Sequence, residues 1–190
     1  IILVGTNPRY EATILNARIR KSFLKNNTEI YSVGDVGDLT YPYKVLPNTT
    51  KIIKEICENT HEVSNKIINA KKPIVIIGQS ALKLKSGKYI FENIKNFLTS
   101  NKKINDQWNS LNIISENAST VGGYDLDLIS SNNGKNTTLE AMQKNNFEVI
   151  FFLGQDNINF KKKNEFIIYI GSHGDRGAEA ADLILPGAAY

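Results

Sequence analysis

Apolar residues along this chain fall into two registers. Short runs that are apolar on successive residues stand at Ile1 to Val4, Ile30 to Val33, Pro73 to Ile77, Val149 to Leu153 and Phe166 to Ile170, with Leu183 to Leu185 as a candidate last strand. Between them, apolar residues recur at spacings of three and four. The first register is that of buried strands and the second that of helices with one apolar stripe. Runs that are apolar on successive residues suit a parallel sheet covered on both faces, because every side chain then meets a helix layer.

The helical stretches carry their own punctuation. Asn7 can cap a helix whose first position is Pro8, with Leu15, Ile19 and Phe23 on one face and an end near Asn26-Asn27. After Pro47, Asn48 is a second candidate cap, ahead of Ile52, Ile53 and Ile56; a third helix spans roughly Thr60 to Asn69 with Val63, Ile67 and Ile68 as its stripe. Ile90, Phe91, Ile94, Phe97 and Leu98 predict a helix that starts after Ser86-Gly87. The spacing of Trp108, Leu111, Ile114, Ala118 and Val121 predicts another, which takes in Ile113-Ile114 and stops at Gly122-Gly123. Asn132 to Asn136 is the most loop-like stretch, and Thr137 or Thr138 opens a short helix through Leu139 and Met142. Strands alternating with helices predict an α/β fold with a doubly wound, mainly parallel sheet. A division near residue 70 or near residue 130 stays open, since no Pro/Gly/Ser-rich linker marks either place.

Composition narrows the function classes. With 190 residues, 41% apolar and 22% charged, the chain is globular. Lys+Arg 23 against Asp+Glu 19 gives +4, too small a surplus to call for nucleic acid or an anionic bilayer. The lysine runs Lys71-Lys72, Lys102-Lys103 and Lys161 to Lys163 lack interleaved aromatics and read as solvated faces, so no nucleic-acid partner is expected. The lone Cys57 excludes an internal disulfide and any thiolate-held cluster within the stretch; among Ile52, Ile53 and Ile56 it reads as a small buried hydrophobe. No apolar run approaches the ~20 residues of a spanning helix, so no membrane insertion is expected. Opening on Ile1-Ile2-Leu3-Val4 without an initiator Met, the chain looks like a piece of something longer.

Several motifs could carry chemistry. Gly5-Thr6-Asn7-Pro8-Arg9 follows the first strand and opens a helix, where open α/β sheets hold ligands through backbone amides; Gly78-Gln79-Ser80 stands at the end of another strand. The bland reading is that Gly5 makes the turn and Asn7-Pro8 starts the helix. Gly171, Gly174 and Gly177 form a GxxGxxG spacing that departs from the dinucleotide fingerprint. His173 and Asp175 lie within it, with no nucleophile paired to them, and fit hydrogen bonding in the loop better than acid–base work. Gly134-Lys135 fails as a phosphate-binding loop, because Ile129 and Asn136 stand where its first glycine and closing Ser/Thr belong. Sequons at Asn26, Asn48, Asn117 and Asn136 are what an Asn-rich chain yields by chance.

Two long segments, ILVGTNPRYEATILNARIRKSF at the start and IIYIGSHGDRGAEAADLILPGAAY at the end, are joined by intermediate pieces in matching order. Those pieces are Gly37-Asp38-Leu39-Thr40-Tyr41, Lys72 to Gly78, Trp108 with Asn112-Ile113, and Phe151 to Asp156. Together they resemble the molybdopterin-oxidoreductase-type domain of the large iron–sulfur subunit of respiratory NADH:ubiquinone oxidoreductase, complex I. The resemblance covers essentially residues 1–190, as part of one such α/β region with room for two subdomains, and only a middle part of the family's longer subunit. One departure is Thr13, where the family often has proline after Glu-Ala, which bears on the start of the helix.

The resemblance implies a non-catalytic scaffold within the peripheral arm of an enzyme complex. No catalytic, cofactor-binding or metal-binding residue is expected in this stretch. The iron–sulfur clusters belong to a cysteine-rich region elsewhere in the subunit or complex, and the partners are the other peripheral-arm subunits. Related catalytic enzymes use these post-strand loops to hold a molybdopterin guanine dinucleotide; the resemblance implies that Gly5 to Arg9 and Gly171 to Gly177 are inherited architecture instead. A fragment of a true molybdopterin-dependent oxidoreductase, binding that dinucleotide, is the alternative. The bias toward Ile, Asn and Lys suggests an AT-rich, mitochondrial genome. The expected place is the matrix side of the mitochondrial inner membrane, with the bacterial cytoplasmic face as alternative.

Overall fold

A computed structural model describes residues 1–117, 119–128, 142, 147–156, 161–174 and 176–188. The chain forms two compact units, Ile1–Thr120 and Val121–Tyr190. The short runs of successive apolar residues are strands: β1 (Ile2–Val4), β2 (Tyr31–Val33), β4 (Val75–Gly78), β8 (Val149–Leu153), β9 (Phe166–Gly171) and β10 (Leu183–Pro186). Four more are short: β3 (Lys44–Leu46), the hairpin partners β5 (Ile104–Asn105) and β6 (Trp108–Asn109), and β7 (Leu111–Ile114).

In the first unit five parallel strands run in the order β3-β2-β1-β4-β7. The order reverses direction between β1 and β4, which makes their carboxyl ends the place where open α/β sheets leave a crevice. The helices are α1 (Pro8–Glu11), α2 (Thr13–Asn26), α3 (Thr50–Cys57), α4 (Glu62–Asn69), α5 (Gln79–Leu82) and α6 (Gly87–Ser100). Ile52, Ile53 and Ile56 of α3, Val63 and Ile67 of α4, and Ile90, Ile94, Phe97 and Leu98 of α6 pack with Ile2, Val4, Val75 and Ile77 on one face. Leu3 and Ile76 point to the other, against Ile19, Leu39 and Tyr41, with Leu15 and Phe23 at the margin. The unit is therefore doubly wound, and at about 25 cal/mol per Å² this burial on both faces is what fixes its strands.

The second unit has three parallel strands in the order β10-β9-β8. Helix α8 (Arg176–Ala180) returns from β9 to β10. Its Ala178 and Ala180, with Ala181 and Met142, pack on Ile150, Phe152, Ile167 and Tyr169. A short helix α7 (Thr120–Asp125) stands at the boundary between the units in sequence.

Four expectations need correction. The stretch from Trp108 to Ile114 is not helical. Asn105 Oδ1 accepts from the amides of Gln107 and Trp108, turning the chain into a hairpin, and Leu111 to Ile114 then pairs with Val75 to Gly78. The three-residue spacing mimicked a helix, but turn chemistry and paired β-branched residues won. Gly122 and Gly123 lie inside α7 and do not stop a helix. Asn48 is not the cap of α3; Thr49 holds that place, and the Asn48 side chain packs where a Cβ on Gly34 would meet it at 3.1 Å. The helix opened by Asn7 is interrupted at Ala12, whose φ of −152° separates α1 from α2 just before Thr13. Ala118, Asn132 to Leu139 and Asp175 lie outside the described residues.

Candidate functional site

The switch-point crevice is built from three post-strand turns. After β1, Gly5 adopts φ +56°, a conformation natural to glycine, and a Cβ there would stand 2.5 Å from that of Ala81. Asn7 caps α1 as its sequence suggests, its Oδ1 accepting from the Arg9 amide at 3.0 Å, while its Nδ2 donates to the Val36 carbonyl at 2.7 Å and ties the turn to the segment after β2. Glu11 folds back: the Asn7 amide donates to its Oε1 at 2.7 Å and the Thr6 hydroxyl to its Oε2 at 2.9 Å. After β4, the Ser80 hydroxyl donates to the Gly5 carbonyl at 2.5 Å, and a Cβ on Gly78 would meet that same oxygen at 2.0 Å.

Between these turns and the start of α3 lies a cavity of about 500 Å³, lined among others by Thr6, Asn7, Glu11, Asp35, Asn48 and Ser80. That is the size of a small-molecule site. The charged residues among its described lining are Glu11 and Asp35, both carboxylates. Asp35 is held below the usual carboxylate range by the Gly37 amide and then the Tyr43 hydroxyl. Arg9, the cation of the motif, is not among the lining residues: its guanidinium donates to the Asp38 carboxylate at 2.6 Å and the Asp38 carbonyl at 3.0 Å. The Thr40 amide and then Arg9 hold Asp38 low in turn. Thr6 is largely buried at the edge of the cavity, and its hydroxyl is taken up by Glu11.

The second glycine motif has a different job. A Cβ on Gly171 would stand 2.2 Å from the Tyr169 hydroxyl, and one on Gly177 would stand 2.6 Å from its ring and 2.6 Å from the Gln155 carbonyl. The hydroxyl lies 3.0 Å from Asp156 Oδ2 and 3.1 Å from the His173 carbonyl, while the Gly177 amide donates to Asp156 Oδ1 at 3.3 Å. Two glycines thus make room for a buried aromatic ring. Gly174 has open space around it. His173 Nδ1 lies 2.9 Å from the Ser172 hydroxyl.

Cys57 is partly buried, and burial, with Glu58 nearby, pushes its thiol up to about 11, away from reactivity. Among the described residues no three His, Cys, Asp or Glu side chains are gathered to hold a metal ion. Glu11 and Asp35 carried no expectation of their own from the sequence. Glu11 stands four residues past its cap, one beyond the usual capping-box spacing, and Asp35 follows the end of β2 in no recognisable motif.

Sheet order, switch-point crevice and post-strand turns define a doubly wound α/β domain. The chain belongs to the molybdopterin oxidoreductase family, whose sequence profile matches residues 1–190. Along its full length it is 40% identical over 190 residues to the NADH-ubiquinone oxidoreductase 75 kDa subunit of Reclinomonas americana, covering 27% of that protein. It is 39% identical over 193 residues to the mitochondrial 78 kDa subunit of Candida albicans and 31% identical over 191 residues to the mitochondrial NADH dehydrogenase [ubiquinone] iron-sulfur protein 1 of Solanum tuberosum, covering 25% of each. The chain spans about a quarter of the length of the curated relatives it matches.

The family's dinucleotide would bring a pyrophosphate to these turns, and the residues do not fit it. The Asn7 amide and Thr6 hydroxyl are already taken by a carboxylate, the turns after β1 and β4 touch, and both charged lining residues are anionic.

Proposed function

We propose that this chain is a non-catalytic scaffold domain of the large iron–sulfur subunit in the peripheral arm of NADH:ubiquinone oxidoreductase. It supports electron transfer carried by clusters bound elsewhere in the subunit or complex. Its role is to hold shape and present surface to other peripheral-arm subunits. The observation that carries the reading is whole-chain similarity, at 31–40% identity, to subunits of that oxidoreductase. The relatives favour it over a free-standing molybdopterin enzyme.

The mitochondrial names of two relatives support a mitochondrial location, and the matrix side of the inner membrane is the place this reading assigns. No helix among the described residues is long and apolar enough to cross a membrane. The test is removal of this region from the full-length subunit, followed on native gels and by NADH–quinone activity. Loss of the assembled, active complex is the expected result. An intact and active complex without the region would overturn the scaffold role.

A further inference from the structure

The turn after β1 already holds an anion, and the anion belongs to the chain. The Glu11 carboxylate engages two donors of the turn, the Asn7 amide at 2.7 Å and the Thr6 hydroxyl at 2.9 Å, one with each oxygen. A phosphate placed there would need those same donors and would stand beside a carboxylate it could not displace without breaking two charge-assisted hydrogen bonds. A second closure is independent of the first. The Ser80 hydroxyl bonds to the Gly5 carbonyl, and the Gly5 and Gly78 backbones approach so closely that no side chain fits between them. A third feature is the cavity beside the turn, whose charged lining residues are Glu11 and Asp35.

We propose that Glu11 is the crevice's resident anion, a built-in substitute for the phosphate this type of turn can hold, and that it bars phosphate-bearing ligands from the switch point. The competing account is that Glu11 only caps α1. Capping alone predicts that removing the carboxylate loosens the turn and leaves anion affinity unchanged. The proposal predicts a gain. This inference concerns what the crevice refuses, so it stands or falls separately from the scaffold reading, whose test is assembly.

The experiment uses the full-length protein, with inorganic pyrophosphate and GDP as probes in equilibrium dialysis at low salt. Wild type, Glu11→Gln and Glu11→Ala are compared. Glu11→Ala frees both donors and removes a like charge, and is expected to bind pyrophosphate about tenfold more tightly than wild type. That gain should fall as salt is raised. Glu11→Gln, which keeps one acceptor oxygen, should fall between. A folded Glu11→Ala protein with unchanged affinity would overturn the proposal in favour of simple capping.

Where the variants do not fold, the wild type decides, through amide exchange and through its binding of pyrophosphate and GDP, which should be negligible at low salt. The Asn7 amide, which donates to Glu11 Oε1, should be protected from exchange. Unprotected exchange at neutral pH, or wild-type GDP binding abolished by Thr6→Val, would sink the idea.

Discussion

Strands β4 and β8, one from each sheet, are apolar on successive residues and bury their side chains differently. In the first unit, Ile76 and Ile77 of β4 face opposite sides and are 2% and 0% exposed, because helices or packed loops cover both faces. In the second, β8 alternates: Ile150 and Phe152 are buried under α8, while Val149, Phe151 and Leu153 are exposed, Phe151 at 59%. Phe166 and the strand β10 share that exposure. A run apolar on successive residues therefore says that a strand can be covered twice, and leaves open what supplies the second cover. In the first unit, crossovers returning in both directions from the switch point supply both layers.

The largest effects should separate the two sheets face by face. Ile76→Ala and Ile77→Ala should each cost about 2–5 kcal/mol, since each opens a cavity in a closed layer. In β8 the pair should split: Phe152→Ala costs about 3–5 kcal/mol and Phe151→Ala well under half of that. Chemical denaturation of the four variants checks this, and equal losses at Phe151 and Phe152 would show that the outer face is covered in the whole protein.

The glycines repeat the comparison on a smaller scale. Gly78→Ala and Gly177→Ala each drive a Cβ into a backbone carbonyl, at 2.0 and 2.6 Å, and should cost about 1–3 kcal/mol, Gly78 at the upper end. Gly174→Ala meets nothing within 4 Å and should be close to neutral. Thermal melts of the three suffice. Equal losses at all three would mean that the GxxGxxG loop is constrained by something other than the Tyr169 ring.

The contrast also explains what could be read from the sequence. Strands such as Val75 to Gly78 were legible because burial on both faces leaves an unbroken apolar run. The helix of Ile90, Ile94 and Phe97 was legible because a single stripe faces the sheet. The edge strand β7 was not, since Leu111 and Ile114 stand three apart, which reads as one face of a helix, whereas in the strand they pack on opposite faces of the sheet, and the deciding signal was the side chain of Asn105 several residues earlier. At the site, Gly5, Asn7 and Pro8 announced a turn and a cap. Glu11 did not announce itself, because a carboxylate in a first helical turn usually faces water, and only the fold shows that it turns back on Thr6 and Asn7.

The smallest effects are electrostatic, and they set one cluster in each unit against the other. In the first, Glu29 is drawn down from 4.5 to about 2, chiefly by the Lys66 ammonium and then by the Tyr31 hydroxyl. Lys66 is raised above its ordinary 10.5 by the same contact. Glu29 therefore adds stability in full above about 4.5 and loses it as pH falls from there through about 2, while Lys66 adds stability in full below 10.5 and loses it as pH rises through its folded value. Both side chains are well exposed, so the contribution is small and should shrink further in high salt. In the second unit Asp182 is also held low, by Lys162 first and then by the Ile167 amide, which donates to its Oδ2 at 2.9 Å at the start of β9. That amide bond carries no cation to screen. Acid unfolding followed at low and high salt should show the benefit of Glu29 over Glu29→Gln vanishing with salt. The benefit of Asp182 over Asp182→Ala should persist in part. Equal salt sensitivity would mean that Asp182 acts through Lys162 alone.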